Sequence, residues 1–105
     1  MYYLLISDLV ADHVARRGPF RPEHLRRAHD AHERGELLLA GAHGDPIEGA
    51  TFVFTVDDPA IVERFVQHDP YLQAGLVTTW RVVPWQVVVG GTPPRDGPEA
   101  GRITG

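Results

Sequence analysis

The sequence predicts an α+β protein with a ferredoxin-like βαββαβ fold, in which one four-stranded antiparallel sheet carries two helices on one face. Three observations support this. Four short segments are rich in β-branched and aromatic residues, two other segments have helical patterns with start signals, and the six alternate in the order strand, helix, strand, strand, helix, strand. That order is typical of two split βαβ units that share one sheet.

The first half of the chain contains two strands and a helix. Residues 2–8, YYLLISD, form a short β-prone apolar run, and a loop is expected after them, through ADHVARRGPF. The first helix is predicted from Pro22 to Arg34, because a proline opens it, strong helix formers follow, and a glycine stops it. ELLLAGAHG is predicted as the second strand, which runs into a turn broken by glycine.

The third strand and the second helix follow directly. ATFVFTVD is β-branched or aromatic along most of its length and is predicted as a strand. Asp58 with a proline next to it is a helix-opening signal, so DPAIVERFVQH is predicted as a helix. Its apolar residues recur at helical spacing and form a stripe that faces the core: Ile61, Val62, Phe65 and Val66.

The fourth strand ends the folded domain. VTTWRVVPWQVVV is predicted as a strand, and Pro84 places it at a sheet edge or a bulge because proline has no N–H to donate. After it, GGTPPRDGPEAGRITG has almost no apolar side chains. We therefore expect one domain over residues 1–89 and a flexible tail over residues 90–105.

Composition excludes several classes of function. A net charge of -4 and a pI near 5.8 leave no basic surface for nucleic acid. The chain has no cysteine, so disulfides, thiol nucleophiles and cysteine metal sites are absent. No apolar segment is long enough to span a membrane, and the first residues lack the features of a signal peptide. A soluble cytoplasmic protein is expected.

Both faces of the predicted sheet are apolar. In the first strand, Tyr2, Leu4 and Ile6 point to one face, and Tyr3 and Leu5 point to the other. Since the helices cover only one face, a second copy of the sheet is expected to cover the other, which predicts a symmetric homodimer. The alternative is that a few exposed apolar residues are ordinary.

The predicted topology gathers polar residues at one end of the sheet, where the first strand ends, the first helix begins and the second helix ends. These residues are the candidate site: Ser7, Asp8, Arg21, His24, His43, Asp69 and Tyr71.

His24 and Asp69 are the candidates for chemistry. His24 shares a helical stripe with Ala28 and Ala31, so it faces the sheet beside two small side chains that leave a gap. A carboxylate brought to this histidine from another element would orient the imidazole for general acid or base work. The alternative is that His24 only packs and that Asp69 only caps backbone donors around Pro70.

The remaining histidines give weaker signals. His29 and His32 lie three residues apart but lack a third ligand at metal-site spacing, so a solvated face is favoured and no metal is expected. His43 lies in a glycine-containing turn that could approach a ligand, or it could simply belong to a variable loop. His13 lies in a polar loop and is expected to have no role. No cofactor-binding motif appears either.

Three segments together resemble a known family. MYYLLISD, RPEHLRRAHDAHERGELLLAGA and HDPYLQAGLVTTWRVVPW are similar to the YciI-like (YCII-related) family over residues 1 to about 88. The resemblance is carried by a histidine after Arg-Pro, by the LLLAG strand end and by Asp-Pro-Tyr followed by a glycine. It implies a dimeric α+β barrel and a histidine and aspartate pair in a cleft, at the positions of His24 and Asp69.

The resemblance also implies a type of reaction. Some relatives look like dehalogenases or isomerases that act on ring-derived lactones by proton abstraction without a cofactor. This chain departs from them at GAHGDPIEG, which is short where the family commonly has Gly-Pro and a longer loop, so the cleft is expected to have a different shape.

The leading hypothesis is therefore a cofactor-independent lyase or isomerase for a small metabolite. In it, His24 is the acid or base, Asp69 orients it, and Arg21, His43 and Tyr71 position the substrate. Two alternatives remain open: a protein that binds a small ligand in the same cleft without chemistry, and a cofactor-free oxygenase.

Overall fold

A computed structural model describes residues 1–91 of the chain. Residues 92–105, most of the predicted tail, lie outside the described residues. Four strands and four α-helices follow one another along the chain: β1 (Tyr2–Leu9), α1 (His13–Arg16), α2 (Arg21–Glu33), β2 (Leu37–His43), β3 (Gly49–Thr55), α3 (Pro59–Gln67), α4 (Pro70–Gln73) and β4 (Val77–Trp85).

The six predicted elements are confirmed in type and order. Three differences concern short segments. The loop expected after β1 contains α1 and a turn of 3₁₀ helix over Gly18–Phe20, the four-residue helix α4 follows α3, and β4 ends at Trp85 rather than continuing through the valines that follow. The added helices are too short for sequence periodicity to reveal them.

The strands form one antiparallel sheet in the order β2-β3-β1-β4. This order confirms the ferredoxin-like arrangement. β4 pairs only with β1, with Pro84 opposite Tyr3, so the proline lies in an edge strand as its missing N–H requires.

One face of the sheet and the helices enclose the core. Leu5 of β1 and Phe54 of β3 pack there against Val62 and Val66 of α3 and Ala31 of α2, all nearly inaccessible to solvent. Since α2 and α3 both contribute to this cluster, both helices lie on the same face, as predicted. Burial of these apolar side chains is the main stabilising contribution to such a fold.

Two aspartates cap the later helices. Asp58 opens α3 and accepts a hydrogen bond from the Ala60 amide at 2.9 Å, which confirms the predicted helix start. Asp69 opens the short helix α4 in the same way. α4 ends at Gln73, and Gly75 shortly after it has a φ of +77°, a left-handed conformation that favours glycine. The chain turns there, and Leu76 is buried.

The opposite face of the sheet, which we call the open face, carries a continuous apolar row. Leu39, Val53, Leu4 and Val83 lie side by side on four adjacent strands. Leu39 is 64% exposed, and at the neighbouring row Trp85 is 43% exposed. No helix within residues 1–91 covers this face.

Candidate functional site

A cavity of about 70 Å³ opens on the helix side of the sheet, where β1 ends and α2 begins. Its walls come from the helical segments around α1, α2 and α4 and from all four strands. The lining residues are Ser7, Leu9, His13, Arg17, Arg21, His24, Ala42, Ala50, Phe52, Asp69, Tyr71 and Val77.

His24 faces this cavity from the first turn of α2. Its ring packs edge-on against Phe52 at 6.1 Å between ring centres, which places it on the sheet side of the helix as its stripe predicted. Ala28 and Ala31, one and two turns later, pack into the core below it. Because these side chains are small, the helix lies close to the sheet and the imidazole is held at the cavity wall.

Asp69 binds His24 across the cavity wall. Its Oδ1 lies 2.9 Å from His24 Nδ1 and also accepts the Tyr71 amide at 2.9 Å. Asp69 is only 4% exposed. Asp69 therefore makes both hydrogen bonds at once: it caps the helix α4 and it contacts His24.

The hydrogen bond determines which nitrogen of His24 carries a proton. An ionised carboxylate can only accept, so Nδ1 donates and the neutral ring keeps its lone pair on Nε2. The carboxylate also stabilises the ring when Nε2 takes up a proton. This arrangement can accept a proton from a bound molecule and return it.

Tyr71 connects α4 to the His24 ring. The two rings stack with 3.8 Å between centres and 8° between planes, so Tyr71 fixes the imidazole orientation from its face while Asp69 fixes it from its edge. Burial raises the pKa of Tyr71, an effect that the nearby Arg21 and Arg17 oppose. The phenol is therefore a neutral hydroxyl at physiological pH.

Arg17 and Arg21 give the cavity mouth a positive potential. Both line the cavity, and neither forms an ion pair with a carboxylate of residues 1–91. Unpaired guanidinium groups beside a cavity are suited to an anion or a polarised carbonyl oxygen. Among the described residues the one buried carboxylate is Asp69, and it is already bonded to His24.

The structure brings most of the predicted site residues together but separates two of them. Ser7, Arg21, His24, Asp69 and Tyr71 line the cavity. Asp8 and His43 do not, so the prediction that they share this site is corrected.

Asp8 and His43 lie on the open face because side chains alternate along a strand. Each directly follows a residue that lines the cavity, Ser7 and Ala42 respectively. Asp8 accepts a hydrogen bond from the Thr79 hydroxyl. The His43 ring lies over Gly49, where a Cβ would come within 2.6 Å of it, and its Nε2 is 2.9 Å from the Thr51 hydroxyl.

A wider groove of about 390 Å³ lies elsewhere, between α2 and α3. Arg27, Arg64 and His68 line it, but His68 Nδ1 donates to the Arg64 carbonyl oxygen at 2.8 Å and no carboxylate orients the ring. The groove is larger than the cavity at His24, but the smaller cavity is the candidate because it holds the oriented histidine.

The other histidines of α2 have no arrangement for a metal. His32 Nδ1 donates to the Leu37 carbonyl oxygen at 2.7 Å, and His29 is exposed. Across residues 1–91, no group of three or more histidine and carboxylate side chains could hold a metal ion. In the same part of the chain, no helix is long and apolar enough to cross a membrane.

Two of the titratable residues that line the cavity, His13 and Arg17, were not among the predicted site residues. His13 was expected to be idle in a loop, but it begins α1 and is only 3% exposed. The one available signal was the spacing of Asp12 and Arg16, which are four residues apart and form an ion pair at 3.4 Å across α1. That signal predicts a helical turn but not which side chain of the turn is buried.

These features define a class of protein: a small ferredoxin-like domain with a carboxylate-oriented histidine in a pocket. Comparison with known proteins identifies the family. Residues 1–86 match the YCII-related domain, and the chain therefore belongs to this family.

Two curated relatives support the assignment, and one solved structure has a similar fold. The chain is 29% identical over 97 residues to protein YciI of Escherichia coli O6:H1, covering 84% of this chain and 99% of the relative, and it matches protein YciI of Shigella flexneri to the same extent. The fold is similar to that of 5-chloro-2-hydroxyhydroquinone dehydrochlorinase (TftG) from Burkholderia phenoliruptrix AC1100, in complex with 2,5-dihydroxybenzoquinone. For that pair the TM-score is 0.67 at 19% identity, over 81% of this chain and 93% of the other.

Proposed function

We propose that this domain is an enzyme of the lyase or isomerase type that moves a proton on a small anionic or carbonyl-bearing metabolite without a cofactor. The 2.9 Å hydrogen bond between His24 and the buried Asp69, at the wall of a cavity, carries the proposal. A histidine held in this way has a defined tautomer and a stabilised protonated form, which general acid or base catalysis requires.

The proposed reaction begins with His24 Nε2. It removes a proton from a carbon beside a carbonyl group, and the electron pair of the C–H bond moves to the carbonyl oxygen as an enolate forms. The enolate then has two possible fates. It takes the proton back at another carbon, which isomerises the substrate, or it expels a leaving group such as chloride, which completes an elimination. Asp69 stabilises the imidazolium throughout, and Arg21 binds negative charge on the substrate.

Support for a ring substrate comes from the structural neighbour, which is a dehydrochlorinase in complex with a dihydroxybenzoquinone. The cavity here has aromatic walls, Phe52 and Tyr71, that suit a planar ring. We therefore propose a small oxygenated ring as the substrate class.

The test is a turnover screen that compares wild type with His24→Gln. Chlorinated hydroxyhydroquinones and unsaturated lactones form the panel, with chloride release and absorbance as readouts. We expect His24→Gln to lower turnover by about 100-fold or more. His29→Gln, an exposed histidine on the same helix, is the matched control and should leave turnover unchanged.

Two outcomes would contradict the proposal. Equal turnover by wild type and His24→Gln would remove His24 from the chemistry. Saturable binding by wild type with no product from any compound would instead identify a ligand-binding protein.

We also propose that the domain is a homodimer that packs through the open face. The apolar row from Leu39 to Val83 spans all four strands, and an exposed apolar surface of this extent is typical of an interface. A C2 dimer would bury the same surface on both copies. Light scattering coupled to size exclusion measures the mass directly.

A further inference from the structure

His13 lies inside the cavity although nothing in its sequence context indicated a role. Its ring contacts Tyr71 edge-on, with 5.1 Å between ring centres and 82° between planes. Tyr71 therefore touches both imidazoles, His13 at one side and His24 on its face. Both histidines line the same cavity.

Two buried polar atoms of this cluster have no hydrogen bond of normal geometry within the described part of the chain: His13 Nδ1 and the Tyr71 hydroxyl. The Arg21 guanidinium lies close enough to that hydroxyl to act on it as a donor and to lower the pKa of Tyr71, so the hydroxyl has a weak donor beside it, whereas His13 Nδ1 has none. Unpaired buried polar atoms are rare in folded proteins, because a buried atom without a partner has lost its hydrogen bonds to water and destabilises the fold. Both residues line the same cavity. Two such atoms at one cavity indicate a bound molecule that supplies oxygen atoms to them.

The charges around His13 determine what it can offer. Burial lowers the pKa of His13, and the neighbouring Arg17, His24 and Arg21 lower it further, while Asp69 opposes them. His13 is therefore a neutral imidazole at physiological pH, with one N–H to donate. A neutral imidazole can polarise a carbonyl group without releasing a proton to it.

We propose that His13 is a catalytic residue of this pocket, whose N–H, beside the Tyr71 hydroxyl, binds the substrate's carbonyl oxygen. This inference rests on the proposed function and narrows the substrate class to enolisable ring carbonyl compounds. When His24 Nε2 takes the proton from carbon, the C–H electron pair moves to that oxygen. The two donors stabilise the resulting oxyanion by hydrogen bonds alone, and His24 keeps the proton until it is returned or lost with the leaving group.

The test measures binding of 2,5-dihydroxybenzoquinone, a planar ring that carries carbonyl and hydroxyl oxygens, by calorimetry at pH 8. His13→Phe keeps a ring against Tyr71 but has no donor, and His13→Gln keeps a donor. We expect His13→Phe to weaken binding by about 10- to 100-fold and His13→Gln to weaken it by less than about fivefold. His29→Phe, at an exposed site on α2, should bind like wild type.

Thermal unfolding of the same proteins without ligand separates this role from packing. Since His13→Phe and Tyr71→Phe each remove a buried polar atom that has no hydrogen bond of normal geometry, we expect both variants to melt at or above the wild-type temperature while binding the quinone more weakly. A residue that serves packing alone would lose stability and affinity together.

Three results would overturn the inference. His13→Phe could bind the quinone as tightly as wild type, His13→Gln could lose as much affinity as His13→Phe, or wild type could fail to bind at millimolar concentration. Failure of the proposed function looks different. If wild type turns over no substrate while His13→Phe and Tyr71→Phe both lose affinity for the quinone, the inferred contact is supported and catalysis by His24 is rejected.

Discussion

Asp69 makes two hydrogen bonds, one that caps α4 and one that holds His24. Different substitutions at Asp69 distinguish the contributions of these two bonds to stability. Asp69→Ala removes both. Loss of the cap costs about 0.5–2 kcal/mol, and the unpaired Nδ1–H of a largely buried His24 costs about 1–3 kcal/mol more. Together these predict a loss of roughly 1.5–5 kcal/mol in the free energy of unfolding. Asp69→Asn keeps an equally good cap and loses only the charge, which predicts about 1 kcal/mol.

A double-mutant cycle isolates the contact between the two side chains. His24→Phe keeps a ring against Tyr71 but has no donor for Asp69, and combining it with Asp69→Ala completes the cycle. The lost cap is common to the single and the double variant and therefore cancels. We expect a coupling energy of about 1–3 kcal/mol between Asp69 and His24.

Urea unfolding followed by the fluorescence of Trp80 and Trp85 provides the assay. It should be run at pH 8, where unperturbed histidine is neutral, and at one protein concentration, because dimerisation would add to the apparent stability. Additivity within about 0.5 kcal/mol would refute the reasoning. It would mean that Asp69 is only a cap, in which case Asp69→Asn should match wild type.

Three further predictions concern His13, the open face and the core. The pKa of His13 is lower in the folded protein than in the unfolded chain, so just below pH 6.5 the unfolded chain binds more protons. The free energy of unfolding therefore falls as the pH drops from 6.5 towards the folded pKa. His13→Phe should remove this contribution, which is up to about 1.4 kcal/mol per pH unit, and urea unfolding at several pH values measures it. Leu39→Lys should convert the proposed dimer to a monomer, as measured by light scattering. Leu25→Lys, at a 36% exposed site on α2, is the control and should leave the dimer intact. A dimer that persists in Leu39→Lys would mean that the interface lies elsewhere. Phe54→Ala should cost about 3–5 kcal/mol because it empties a site that is 1% exposed, and a loss under about 1 kcal/mol would contradict the assignment of the core.

The secondary structure was predictable because its causes are local. Pro22 at the start of α2, Asp58 before α3 and the β-branched runs of the strands act through neighbouring residues alone. α1 was not predictable because four residues are too few for periodicity to show. Location in the cytoplasm and flexibility of the tail stay predictions.

The site was only partly predictable, since the topology determines which end of the sheet a residue occupies but not which face it points to. Asp69 could be placed beside His24 because the break before Pro70 and the start of α2 meet at the same end. Asp8 and His43 occupy that end as well, but they face away from the cavity.

The sequence by itself determined the order of the elements and the helix start at Asp58, because both follow from local patterns. It placed Asp69 at the same end of the sheet as His24 but left open whether the two side chains meet. Only the tertiary structure decided the rest. Neighbouring residues of a strand point to opposite faces, so a difference of one position decides which face a side chain occupies. This alternation placed His43 on the face away from the cavity. The packing of α1 against Tyr71, which the short sequence of that helix does not encode, buried His13 in the cavity.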